Sequence, residues 1–142
     1  MATLIGLTTN IGRLTEDTDR LLVAAVDGLV IAALAIAGRA HHGYPILDQP
    51  LETIETAVPF LLGWLLLSIP AGAYARNTLT SPRAAARVTL VAWLAAANVG
   101  LLVRSAPFFT GGTAWPFPLV MNGTGLVALV AWRLAYTAIS KE

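Results

Sequence analysis

Residues 56 to 75 contain no charged side chain, and neither do residues 105 to 132. Uncharged runs of that length constrain a fold more than any motif does. A helix crosses the hydrocarbon core of a bilayer with about 20 apolar residues at 1.5 Å each. Four stretches meet or approach that length, with apolar cores at 21–38, 57–75, 88–103 and 114–132. The spans themselves are expected at about 20–38, 56–75, 87–106 and 116–138. The third core is the shortest, and Arg87 and Arg104 at its ends can snorkel and lengthen it.

Composition agrees with the spans. The 142 residues are 56% hydrophobic and 12% charged, where a soluble domain averages roughly 45–50% and about 25%. The expected fold is all-α: an integral membrane four-helix bundle forming a single transmembrane domain, with residues 1–19 as a cytoplasmic or interfacial N-terminal segment. A net charge of +1 leaves no electrostatic footprint for nucleic acid. The absence of cysteine excludes disulfides, thiolate catalysis and zinc–thiolate or iron–sulfur sites.

The scarce cations set an orientation. Arg13 and Arg20 precede the first span, Arg76, Arg83 and Arg87 lie between the second and third, and Arg133 and Lys141 end the fourth. Only Arg39 and Arg104 fall on the other side. Seven against two predicts a plasma-membrane protein with both termini cytoplasmic. It also argues against a dual-topology dimer, which needs a near-balanced count.

Asp27 is the one ionisable residue well inside a span. At a helix centre it costs roughly 2.5–3.5 kcal/mol, and the Leu, Val and Ile residues between Leu21 and Ile36 return roughly 3–5 kcal/mol, so the span still inserts. Arg13 and Arg20 with the Ala35-Ile36-Ala37 sequence imitate a signal peptide. The apolar run is longer than a usual signal core, and it reads as the first transmembrane helix. Thr15 or Thr18 is expected as its N-cap, with Glu16, Asp17 and Asp19 on the positive end of the helix dipole. Residues 1–10, with Leu4, Ile5 and Leu7, are expected either to lie on the membrane or to form a terminal arm.

Two hairpins resemble each other. Thr56-Ala57-Val58-Pro59-Phe60 opens the second span and Thr113-Ala114-Trp115-Pro116-Phe117 the fourth, and each follows a span that ends in an arginine. Small residues at Ala24, Gly28 and Ala32, at Ala96 and Gly100, and at Gly123 and Gly125 suit close helix packing. Of the four tryptophans, Trp115 and Trp132 best fit an aromatic belt at the interface.

The outer end gathers the candidate ligand-binding groups. Arg39 and Arg104, with the hydroxyls of Thr56 and Thr113 at two helix N-termini, form an expected anion site, with His42 as a proton-sensitive neighbour. The competing reading pairs the two arginines with Glu52 and Glu55 and pins the loops. His41 and His42 are adjacent, their side chains diverge, and the chain has no third histidine, so no metal site is expected. No cofactor is expected either. Asp27 lies about 18 Å inward of Arg39 along the helix, and Arg133 reaches a comparable depth. Asp27 is therefore either a relay step or half of a structural pair with Arg133 or Arg87. Asn98 and Asn122 sit mid-span, placed to hydrogen-bond across the bundle or to line a polar pathway. The Asn122-Gly123-Thr124 sequon lies at mid-bilayer depth, where it cannot be glycosylated. No phosphate loop, catalytic triad or HExxH sequence is present, and no enzymatic activity is expected.

Asp27, Gly38-Arg39-Ala40-His41-His42-Gly43, Thr56-Ala57-Val58-Pro59-Phe60-Leu61-Leu62-Gly63-Trp64 and a third span ending in Arg104 together resemble the DUF3054 family. Its members are small prokaryotic four-helix membrane proteins of unknown function. The resemblance runs from about Asp19 to Tyr136 and implies the four-span fold, but no substrate or cofactor. The functional expectation is a channel or transporter component with an anion-recognising outer vestibule. The alternatives are an accessory subunit of a membrane complex and a binder of lipid, quinone or carotenoid. The bilayer, a second copy or a membrane partner subunit is the expected company.

Overall fold

The computed structural model describes residues 1–109 and 111–140. Among them every element is helical: α1 Ala2–His41, α2 Pro50–Ala71, α3 Arg76–Thr80, α4 Pro82–Arg104 and α5 Phe117–Ser140. The four long helices are each long and apolar enough to cross a membrane. They run alternately up and down and close into a ring. α1 packs on α2, α2 on α4, α4 on α5, and α5 returns to α1, while α3 tucks against α4 and α5. The α2–α4 contact is the most extensive and α1 is the peripheral helix.

Local chemistry sets the boundaries. Pro50 opens α2 in the first turn, where its missing N–H costs nothing. At its other end Gly72 takes a left-handed φ of +85°, and the N–H groups of Gly72 and Ala73 donate to the carbonyls of Ile69 and Ser68. That Schellman closure ends α2 at Ala71, four residues before the expected limit of the span. Ser81 caps α4, its Oγ accepting from the Ala84 N–H at 3.4 Å, with Pro82 next. This start is earlier than the expected 87.

The first helix departs furthest from expectation. It begins at Ala2, and neither Thr15 nor Thr18 caps it. Their hydroxyls donate back to the Ile11 and Leu14 carbonyls at 2.9 and 2.8 Å. A threonine that bonds one turn back continues a helix instead of starting one. Residues 2–15 are therefore an exposed continuation of a 40-residue helix.

The interior is lined by small and aromatic residues. Trp93, Phe60, Trp64, Ala92, Ala96, Ala97 and Leu129 are buried, whereas Leu29, Leu65, Leu66, Leu102 and Val127 are 60–72% exposed. Buried polar residues inside a ring of outward leucines are the arrangement lipid favours. Gly63 and Gly100 let α2 and α4 touch: a Cβ on Gly63 would overlap the Ala96 carbonyl, and one on Gly100 would press on Phe60. Gly125 makes room for the Trp93 indole, which donates from Nε1 to the Asn122 carbonyl at 3.0 Å. Gly28 has only ordinary contact with Leu61, and Gly123 faces open space.

Candidate functional site

Two groups of polar residues occupy opposite ends of the ring. The deeper one lies toward the end that carries the α2–α3 turn. Asp27 on α1 is fully buried, and Arg133 on α5 is 1% exposed. Arg133 grips Asp27 with two donors, Nε to Oδ1 at 3.0 Å and Nη2 to Oδ2 at 2.7 Å. Its Nη1 donates to the Ala73 carbonyl at 2.8 Å, and its guanidinium lies 5.1 Å from the Tyr74 ring centroid. Trp132 Nε1 donates to Asp27 Oδ1 at 3.0 Å and the Tyr74 hydroxyl to Oδ2 at 2.7 Å. The same hydroxyl accepts from Trp64 Nε1 at 2.9 Å. Asp27 thus receives four donors from α5 and from the turn after α2. Burial, and then the Asp27 carboxylate, push the Tyr74 phenol far above its ordinary value, so it stays a donor.

Of the two partners expected for Asp27, the structure selects Arg133; Arg87 is exposed. Trp132, expected in an interfacial belt, turns its indole N–H to Asp27 instead, and Trp115 is 75% exposed. Tyr74, Trp64 and Trp132 escape sequence reasoning, because their roles depend on how the turn at Gly72 folds back. A tyrosine two residues after that glycine, and a tryptophan beside the only arginine inside the fourth span, are the signals present.

The second group lies at the opposite end. Arg39 ends α1, with Nε on the Pro45 carbonyl at 3.3 Å, Nη2 on Gln49 Oε1 at 2.6 Å and its guanidinium 5.3 Å from the Tyr44 ring centroid. Arg104 ends α4, with Nε on the Gly112 carbonyl at 3.0 Å and its guanidinium 4.8 Å from the Phe117 ring centroid. The two ends are built alike: each arginine donates into the loop that follows its own helix and lies over an aromatic ring. Both pin loops, and in these bonds through the neutral oxygens of Pro45, Gln49 and Gly112 where the sequence reading expected Glu52 and Glu55. His41 and His42 are exposed and stack edge to face at 5.5 Å. No group of three metal-ligating side chains exists among the described residues.

Neither expected hydroxyl stands at a helix N-terminus. Thr56 does not cap α2; it lies within the helix and donates to the Glu52 carbonyl at 2.8 Å, because α2 starts at Pro50. Thr113 lies in the loop before α5, which begins at Phe117. Asn98 and Asn122 bond back to their own helices, to the Leu94 and Pro118 carbonyls at 2.6 and 2.8 Å, and do not bridge the bundle through these bonds. Glu52 is exposed, and Lys141 lies outside the described residues. The two Thr-Ala-x-Pro-Phe elements differ in placement, since Pro59 is inside α2 and Pro116 precedes α5. Their phenylalanines nevertheless meet, Phe60 and Phe117 having centroids 6.1 Å apart.

Residues 24–136 match the family described as "Protein of unknown function (DUF3054)". No curated protein and no solved structure matches the chain.

Proposed function

The chain belongs to the DUF3054 family, and on that premise we propose that it is a small anion channel or transporter component of the plasma membrane. Both termini are cytoplasmic in this reading, which places Arg39 and Arg104 on the outer side. The observation that carries it is that Arg39 and Arg104 close their helices at the same end of the bundle, each bonded into the loop that follows it through neutral oxygens. Arg104 also lies over Phe117, the first residue of α5. Arg104 stands between the negative end of α4 and the positive end of α5, and an anion held there pairs with its guanidinium and with the α5 N-terminus.

An inward path is supported by one donor within the ring. The Thr89 hydroxyl on α4 is buried and makes no hydrogen bond, so its proton is available to an anion. At the inner end Arg133 is the next positive group, held by Asp27. Passage then requires the anion to take the place of the Asp27 carboxylate on Arg133, so the pair acts as a closed gate.

The test is the thermal stability of the purified protein in mild detergent with chloride, nitrate, phosphate or acetate at constant ionic strength. At least one anion raises the melting temperature of the wild type, and Arg104→Gln removes that rise while leaving the anion-free melting temperature within a few degrees. No rise with any of the four sinks the reading.

A second reading is favoured by a specific observation. Four donors saturate Asp27, and a carboxylate so fully satisfied also suits a permanent latch in an accessory subunit. A stoichiometric membrane partner on gentle purification supports that reading.

A further inference from the structure

The protruding half of α1 carries a second kind of surface. Forty residues at 1.5 Å make a helix of about 60 Å, roughly twice the thickness of a hydrocarbon core. The last ties to the bundle on this side are the Glu16–Arg76 ion pair at 3.5 Å and the Arg20 Nε bond to the Tyr74 carbonyl at 3.1 Å. Beyond Glu16 every residue is exposed. Leu4, Leu7, Ile11 and Leu14 are 53–67% exposed there, and Leu21 is 72% exposed. With Thr18 their spacing is 3, 4, 3, 4, 3, the alternation of a coiled-coil seam, with Leu7, Leu14 and Leu21 on one register and Leu4, Ile11 and Thr18 on the other.

We propose that this strip pairs with the same strip of a second copy of the chain, as a parallel two-helix coiled coil standing off the membrane. Copies that share one membrane orientation carry their α1 extensions on the same side, so the pairing is parallel. Charge does not oppose it. The positions flanking the seam are Thr8, Thr15 and Asn10, which are neutral, and Asp17, which is bonded to Arg20 of its own chain at 3.2 Å. Charge disfavours a lipid surface as occupant. Residues 1–20 hold two arginines against Glu16, Asp17 and Asp19, whereas helices that lie on anionic lipid are rich in cations on the polar face. The seam also runs on without a break. Leu21 and Gly28, the next two positions of the Leu7–Leu14 register, line an apolar groove of about 510 Å³ between α1 and α2. A partner helix that follows the seam meets this groove where it enters the membrane.

The natural absence of cysteine makes the test clean. Single variants Leu7→Cys, Leu14→Cys and Thr9→Cys, in nanodiscs at low protein-to-lipid ratio, are oxidised with copper phenanthroline. The two seam variants form disulfide dimers at least about tenfold more than Thr9→Cys, which lies on the opposite face. In parallel, Leu7→Glu with Leu14→Glu lowers the dimer fraction in native mass spectrometry while the melting temperature of the membrane bundle stays unchanged. Equal cross-linking at Thr9 and Leu7 overturns the proposal. So does a blue-shifted fluorophore on Leu7→Cys in nanodiscs holding one copy, which places the strip on lipid. The proposal is independent of anion binding, since none of these measurements involves an anion.

Discussion

At the scale of single residues the account rests on Asp27 and Arg133. Removing one partner of a buried pair leaves an uncompensated charge and costs about 3–5 kcal/mol. Asp27→Ala is therefore expected to lower unfolding stability in detergent by that amount, read from thermal or denaturant unfolding. The paired change Asp27→Leu with Arg133→Met is expected to recover most of the loss, since apolar replacement of a whole buried pair is close to neutral. Tyr74→Phe deletes a donor to Asp27 and the acceptor of Trp64 Nε1, and about 1–3 kcal/mol follows from the unsatisfied groups. If all three variants melt with the wild type, the network is not a structural element. Helix rise brings Asp27, twelve residues inward from Arg39, and Arg133, fifteen past Pro118, to similar depth, but it left Arg87 open as a partner, and the structure makes the choice. Their aromatic partners were not legible, because Tyr74 reaches Asp27 only through the backbone reversal at Gly72.

At the scale of elements, glycines on one helix face different surroundings. A Cβ on Gly125 would overlap the Trp93 ring, whereas Gly123 meets nothing within 4 Å. Gly125→Ala is expected to cost about 1–3 kcal/mol through overpacking. Gly123→Ala is expected to be neutral or stabilising by up to about 1 kcal/mol from helix propensity. Equal effects in an unfolding assay would show that α4 and α5 do not meet at Trp93. Sequence spacing identified Gly100, Ala96 and Gly125 as packing residues, and they are. It placed several helix starts wrongly, for a common reason. Thr15, Thr18 and Thr56 all look like caps, but each hydroxyl bonds the carbonyl four residues back. The same side chain serves both arrangements, and only what precedes it decides. Before Thr56, Pro50 had already started the helix, and before Thr15 the unbroken run from Ala2 had done so.

At the scale of the whole molecule, hydrophobic length alone gave four membrane-length helices, while their ring order α1–α2–α4–α5 came only from contacts. The seven-to-two split of cations predicts that cysteines introduced beside Arg39 and Arg104 react with an impermeant maleimide from outside intact cells, and that cysteines beside Arg83 and near Ser140 do not. The reverse pattern would turn the proposed outer vestibule into an inner one. The central claim, that this end of the bundle recognises an anion which the ring then passes, is tested most directly by flux. Purified protein in proteoliposomes, assayed with radiolabelled or fluorescence-detected chloride, nitrate, phosphate and acetate, is expected to pass at least one of them above protein-free vesicles. Arg39→Gln with Arg104→Gln, in correctly folded protein, is expected to abolish that flux. Wild-type vesicles no more permeable than empty ones to any of these anions, or flux unaltered by the double substitution, would contradict the account.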